Sequence, residues 1–248
     1  MEFKVFENES ILSAAAADAV CELLQEKPDA LLCIAAGHSS LSLFRELIRR
    51  FQEKKVDFSR AGFAAMDEWA NMNETTPGSC GDFLVKNFLS QVNFPEERIR
   101  LVNGKAPDLQ AECTGIKKNV EAVGGFDLIV LGIGMNGHLA LNEPGVDFSL
   151  SVHTTALDSV TQQVGTKYFE SAPKLTGGIT IGIADIAAAK RAILLVNGER
   201  KKQIVKKVLA SPVTNRLPAT ALKDMPHAAF WCDTEAASLV IDTEKRRK

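Results

Sequence analysis

FDLIVLGIGMNGHLALNEPG, residues 126–145, is the stretch on which the reading of the whole chain turns. Leu128, Ile129, Val130 and Leu131 form an unbroken aliphatic run after Asp127, the pattern of a strand covered on both faces in a parallel sheet. Its exit holds Gly132, Gly134 and Gly137, which match the GxGxxG fingerprint of dinucleotide sites. That fingerprint needs a helix to open at the third glycine and continue, whereas Pro144 cuts this segment seven residues after Gly137. A nicotinamide cofactor is therefore disfavoured. What remains is a glycine-rich loop that delivers His138 and Glu143 to the end of a buried strand, where packing does not ask for an imidazole. A carboxylate beside an imidazole fixes its tautomer and stabilises the imidazolium, so the pair reads as an acid–base device. His153 and His227 lack such a setting and read as structural.

Outward from this strand, short β-type runs and helical patterns alternate about seven times. Residues 9–26 read as a helix capped by Asn8 or Ser10 and broken by Lys27, Pro28 and Asp29. A buried strand comes next at 30–35, and a helix at 41–54 carries Leu43, Phe44, Leu47, Ile48 and Phe51 on one face. Further strands are expected at 62–66, 98–102, 126–132, 178–182, 192–196 and 228–232. Further helices are expected at 82–89, 108–123, from Ala184 onward, at 199–209, and after a cap at Asp233 or Thr234. The alternation predicts an α/β, Rossmann-like three-layer fold, with a mainly parallel sheet and helices on both faces. No linker, repeat or low-complexity segment interrupts it, so residues 1–248 are expected to form a single domain.

In an open parallel sheet ligands bind beyond the carboxyl ends of the strands, so the residues immediately after each strand are the candidates for a site. After 30–35 comes Gly37-His38-Ser39-Ser40 at a helix start. Glycine lets the backbone approach a ligand, free N–H groups favour an anion, and the serines add hydroxyl donors. Helix capping is the other reading of these serines. After 62–66 come Asp67, Glu68 and Trp69. Adjacent residues of an extended chain point to opposite sides, so one of the two acids faces any given site. A carboxylate at an apolar strand end can serve as a general base, although acid pairs at strand ends are also common on surfaces.

Composition removes whole classes of function. With 29 Lys+Arg against 31 Asp+Glu and a net charge of −2 over 248 residues, the chain has no basic field for nucleic acid. No apolar run approaches the roughly 20 residues of a membrane span. The start, MEFKVFENES, is polar and acidic, unlike a secretory signal, and a cytoplasmic protein is expected. The five cysteines include no CxxC pair, so neither a disulfide framework nor a zinc site is suggested, and most read as small buried hydrophobes. The terminal EKRRK reads as a solvated tail.

The segment GMNGHLALNEPG resembles the signature of glucosamine-6-phosphate deaminases (isomerases) and of the related galactosamine-6-phosphate deaminase/isomerases. AAGHSSLSLFRELI is similar to their phosphate loop and following helix, AAMDEW to the strand bearing their general base, and LTGGITIGIADIAAAKRAILLVNGERK to their late strand, helix and strand. The resemblance covers nearly the whole chain. It implies deamination and aldose–ketose isomerisation of a 2-amino-2-deoxyhexose 6-phosphate, without metal or organic cofactor. It implies Asp67 as the base moving a proton between C2 and C1 through an enolamine, His138 as the imidazole of ring opening, and Glu143 as its partner. Gly37, His38 and Ser39, with Ser40 beside them, correspond to the phosphate loop, and Lys201 in GERK to a phosphate-binding lysine. Lys167 in GTKYF falls where the glucosamine enzymes carry an arginine, keeping the charge but losing the bidentate fork. Asn136 replaces an aspartate of the His–carboxylate relay, and an amide cannot support imidazolium charge in the same way. His38 replaces a small loop residue. Asn136 and the TTPGSC loop lean towards the galactosamine-type branch. The competing readings are a hydrolase like the 6-phosphogluconolactonases, which share GxxGH but lack the NEPG continuation, and a non-catalytic sugar-phosphate sensor. A monomer or small homo-oligomer is expected.

Overall fold

The computed structural model describes residues 1–169 and 173–245. Three aliphatic runs, Leu31–Ile34 (β2), Leu128–Leu131 (β6) and Ala192–Val196 (β9), are buried along their whole length and lie side by side as parallel strands. Alternation of side chains across the strands divides the core in two. Leu32, Ile34, Leu128, Val130, Ile193 and Leu195 enter one hydrophobic cluster, while Leu31, Cys33, Ile129, Leu131, Leu194 and Val196 enter the other. Fully burying each such side chain contributes roughly 1.5–3 kcal/mol. The first cluster is filled by aromatic rings. Phe88 stacks on Phe44 with centroids 4.8 Å apart and meets Phe58, Phe63 and Phe94 edge-on.

The parallel sheet has seven strands in the order β1-β10-β9-β6-β2-β3-β5, completed by Glu2–Phe6 (β1), Gly62–Ala64 (β3), Ile99–Arg100 (β5) and Ala228–Asp233 (β10). Helices Glu9–Glu26 (α1), Leu41–Gln52 (α2), Cys80–Asn87 (α3) and Leu109–Ala122 (α4) occupy the crossovers. Asn8 supplies the cap of α1, its side chain accepting the Ile11 N–H at 3.0 Å. From β2 the chain builds towards β3 and β5, then returns to place β6 on the other side of β2. The β2/β6 boundary is thus the topological switch point, where a crevice opens beyond the strand ends.

A second sheet is antiparallel, in the order β4-β8-β7: Asp67–Trp69 (β4), His153–Ala156 (β7) and Gly177–Thr180 (β8). The strand expected at 178–182 therefore belongs outside the parallel sheet, and residues 67–69 continue β3 into a strand of their own. Helices Ser159–Gly165 (α5) and Ile183–Ala188 (α6) flank this sheet in sequence. Residues 2–6, read as a polar start, form the edge strand β1 because Phe3 and Phe6 pack edge-on against Phe230 and Trp231 of β10. The helix expected at 199–209 is a 3-10 turn followed by Lys202–Ala210 (α7). The last helix, Ser238–Lys245 (α8), starts later than expected, after a turn over residues 234–237 whose first N–H groups are met by Asp233, its carboxylate accepting Ala236 N–H and Gly198 N–H. The side chains of the terminal EKRRK run lie outside the described residues. Among the described residues no helix is long and apolar enough to cross a membrane.

Candidate active site

The ends of β2, β3, β6 and β9 open onto one cavity of about 760 Å³, within the ~300–1,000 Å³ of sites for small molecules. At the end of β2 the chain turns at Gly37, whose φ of 142° is a region other residues rarely enter. His38–Ser40 then make a single 3-10 turn into α2, and Ser40 makes no side-chain capping bond there. Capping thus does not account for the serine pair. Gly37, His38, Ser39 and Ser40 all line the cavity.

Cations gather on the same lobe. Lys201, in the turn after β9, donates to the Ile133 carbonyl at 2.5 Å. Burial, then the nearby Lys167, push its ammonium down to about 8. Burial, then Arg200, lower Lys167, and burial, then Lys167, lower His38. Like charges depress one another in this way only when held close. An anion seated among them reverses the penalty, so the lobe suits a small dianion. Lys167 also lies over the Tyr168 ring, 4.9 Å from its centroid.

Across the cavity, Asp67 is the first residue of β4. Strand alternation turns Asp67 to the cavity wall and Glu68 into the protein. Glu68 is fully buried and accepts the backbone N–H groups of Trp69, Cys80 and Gly81 at 2.8, 3.0 and 2.8 Å, tying β4 to the start of α3. Asp67 has no such set of donors. Burial, followed by the charge of Glu68, pushes its carboxyl up to about 7, against a smaller opposing hydrogen bond from the Cys80 thiol. A carboxylate poised near neutrality has the basicity proton abstraction requires.

His138 stands between these lobes. The loop after β6 is held by Asn142, whose amide donates to the carbonyls of Leu139 and Ile181 at 2.9 and 2.8 Å. Gly134 is where the imidazole lies against backbone, and a Cβ there would collide with the His138 ring. Asn136 donates to Glu143 Oε2 at 2.8 Å, and that oxygen is 3.5 Å from His138 Nδ1. Burial raises the Glu143 carboxyl, but the hydrogen bond and charge of His138, then Thr161 and Asn136, outweigh it and hold the group below the ordinary carboxylate value.

Asp67, His138, Lys167 and Lys201 thus share the cavity with the 37–40 turn, while Asn136 and Glu143 stand behind His138 and do not line it. Sequence reasoning missed Thr161, Tyr168, Cys80 and Arg200, which also line it. Tyr168 and Arg200 adjoin Lys167 and Lys201 in the chain, and that adjacency was the available signal. Cys80 closes the TTPGSC loop at the start of α3, and Thr161 arrives through α5 without a motif. Among the described residues no group of three or more His, Cys, Asp and Glu side chains clusters as metal ligands do.

A doubly wound sheet with a cavity at its switch point, combining a basic lobe suited to a small anion, a poised carboxylate and a His–carboxylate pair, has the form of an α/β enzyme. The family model for glucosamine-6-phosphate isomerases/6-phosphogluconolactonase matches residues 7–231, and the chain belongs to that family. It is 33% identical over 234 residues to a glucosamine-6-phosphate deaminase of Thermoanaerobacter pseudethanolicus, covering 94% of this chain and 92% of that one. Over 242 residues it is 34% identical to glucosamine-6-phosphate deaminase 1 of Bacillus subtilis, covering 96% and 98%. The solved structure of a monomeric glucosamine-6-phosphate deaminase of the NagB superfamily superposes with a TM-score of 0.93 at 33% identity, covering 96% of this chain and 100% of that one. A 6-phosphogluconolactonase from Thermotoga maritima shares the fold, with a TM-score of 0.74 at 19% identity over 94% of this chain and 98% of that one.

Proposed function

We propose that the protein converts a 2-amino-2-deoxyhexose 6-phosphate and water to a ketohexose 6-phosphate and ammonia. The observation that carries this reading is the meeting of Asp67, His138, Lys167 and Lys201 on one cavity. The phosphate dianion sits among Lys167, Lys201 and the backbone of the 37–40 turn, where it relieves the mutual repulsion of the cations. His138 takes the proton of the C1 hydroxyl and returns it to the ring oxygen, opening the sugar, while Glu143 stabilises the transient imidazolium. Asp67 then removes the proton from C2 and delivers it to C1. Removal gives the enolamine and delivery to C1 gives the C2 imine, which water hydrolyses with loss of ammonia. Residues 1–248 act as one catalytic unit in this reading, and the monomeric relative supports a single chain as the working form.

The named relatives make glucosamine 6-phosphate the first substrate to test. Asn136 and the TTPGSC loop are the features that favour galactosamine 6-phosphate. Parallel measurement of kcat/KM on both epimers decides between them, with 6-phosphogluconolactone as the third arm. Ammonium release from either amino sugar supports the proposal, whereas hydrolysis of the lactone alone replaces it with the hydrolase reading.

A further inference from the structure

The sequence pairs His138 with Glu143, and the structure brings a third group between them. Thr161, on α5 and 3% exposed, holds its hydroxyl 3.0 Å from His138 Nδ1, closer than Glu143 Oε2 at 3.5 Å. Asn136 is oriented by its surroundings. Its Oδ1 accepts the His138 backbone N–H at 3.2 Å, so its Nδ2 faces the other way and donates to Glu143 Oε2. Turned like this, the amide offers N–H groups to the carboxylate and no acceptor to the imidazole. The nearest acceptor for a proton on Nδ1 is therefore the Thr161 oxygen.

We propose that Thr161 is a positioning residue: its hydroxyl accepts the His138 Nδ1–H beside the Glu143 carboxylate, leaving Nε2 bare towards the cavity. This inference rests on the ring-opening role of His138 and adds the group that sets its tautomer. One lone pair of the hydroxyl takes the Nδ1–H and the other faces Asn136 Nδ2 at 3.5 Å. The reverse arrangement, with Thr161 donating to Nδ1, sets the Nδ1 lone pair against the Glu143 Oε2 lone pairs at 3.5 Å. With Nε2 bare, the imidazole takes the C1 hydroxyl proton directly. The imidazolium so formed keeps its Nδ1–H on Thr161, with Glu143 Oε2 3.5 Å from Nδ1, and returns the Nε2 proton to the ring oxygen, so no net proton is gained or lost.

The test combines Thr161→Val, which removes the hydroxyl at nearly constant volume, with Thr161→Ser, which restores it. Thr161→Val is expected to lower kcat at least about tenfold with KM within about twofold, as for loss of one element of acid–base catalysis. Thr161→Ser is expected to stay within about threefold of wild type. The direct readout is a long-range proton–nitrogen NMR spectrum of the wild-type protein with labelled imidazoles at pH 8.5, where the signals of the four histidines are few enough to assign with a His138→Gln control. Protonation of His138 at Nδ1 supports the inference. Protonation at Nε2, or a folded Thr161→Val variant with unchanged kcat, overturns it. The wild-type spectrum decides the matter even when Thr161→Val does not fold. If the wild type releases no ammonium from either amino-sugar phosphate, the proposed function fails, and the tautomer still decides the role of Thr161.

Discussion

Replacing Asp67 by asparagine is expected to make the protein more stable at alkaline pH while removing its activity. The wild-type carboxyl is pushed from its ordinary 3.8 up to about 7, first by burial and then by the Glu68 charge. A shift of that size corresponds to ~4 kcal/mol of added cost for the ionised form. Part of the side chain is open to the cavity, so solvent screening reduces this to about 2–3 kcal/mol. Because the folded-state value is raised, the native protein binds more protons than the unfolded chain between pH ~4 and ~7. Stability therefore falls as pH rises through that window and is level above it. Asparagine has no ionisation to suppress. The advantage of Asp67→Asn is thus absent below pH ~4, partial at pH 5 and complete at pH 8.5, a gain of about 1–2 kcal/mol between the last two. Urea unfolding of both proteins at pH 5 and pH 8.5 measures it directly. An advantage that is equal at the two pH values, or a variant less stable at pH 8.5, refutes the account of Asp67. Activity of the variant on the amino-sugar phosphate substrate is expected to fall by ~10²–10⁴-fold, the usual share of a general base.

The pH dependence of kcat/KM is expected to be bell-shaped, rising through about 7 as Asp67 ionises and falling through about 8 as Lys201 loses its proton. Initial-rate measurements from pH 5.5 to 9.5 check both limbs. Lys201→Met is expected to raise KM by roughly 10–100-fold, the worth of one charge-assisted hydrogen bond, and to abolish the alkaline limb. Gly134→Ala drives a Cβ into the His138 ring, and steady-state assays are expected to show kcat down about tenfold or more, as for a misplaced catalytic group. Phe88→Ala empties the centre of a fully buried aromatic cluster and is expected to cost about 3–5 kcal/mol in urea unfolding, with turnover per folded molecule retained.

The parts of the molecule legible in the sequence were those written in local pattern. The aliphatic runs at 31–34, 128–131 and 192–196 have one physical use, the middle of a parallel sheet, and the polar residues after them then fall at one edge by topology alone. Gly37, Asp67, His138 and Lys201 could for that reason be placed before their spatial meeting was known. The second sheet was illegible because β4 and β7 are short, mixed strands whose pairing is set by contacts with β8 across more than a hundred residues of chain in one case and about twenty in the other. The strand at 2–6 was missed because its outward positions are polar and its partner, β10, is the last strand. Thr161 was invisible for a further reason. A threonine inside a helix carries no signal until the fold sets it against His138, and only then does Asn136, conspicuous in sequence as a departure, acquire a structural complement.

The most direct test of the central claim is the stoichiometry of products. Purified protein incubated with glucosamine 6-phosphate, and separately with galactosamine 6-phosphate, is assayed for ammonium and for ketohexose 6-phosphate at the same time points, with Asp67→Asn as the matched control. The account predicts that the two products appear in equal amounts from at least one epimer and that neither appears with the variant. Binding of both sugar phosphates without product, or equal product formation by wild type and Asp67→Asn, would contradict it.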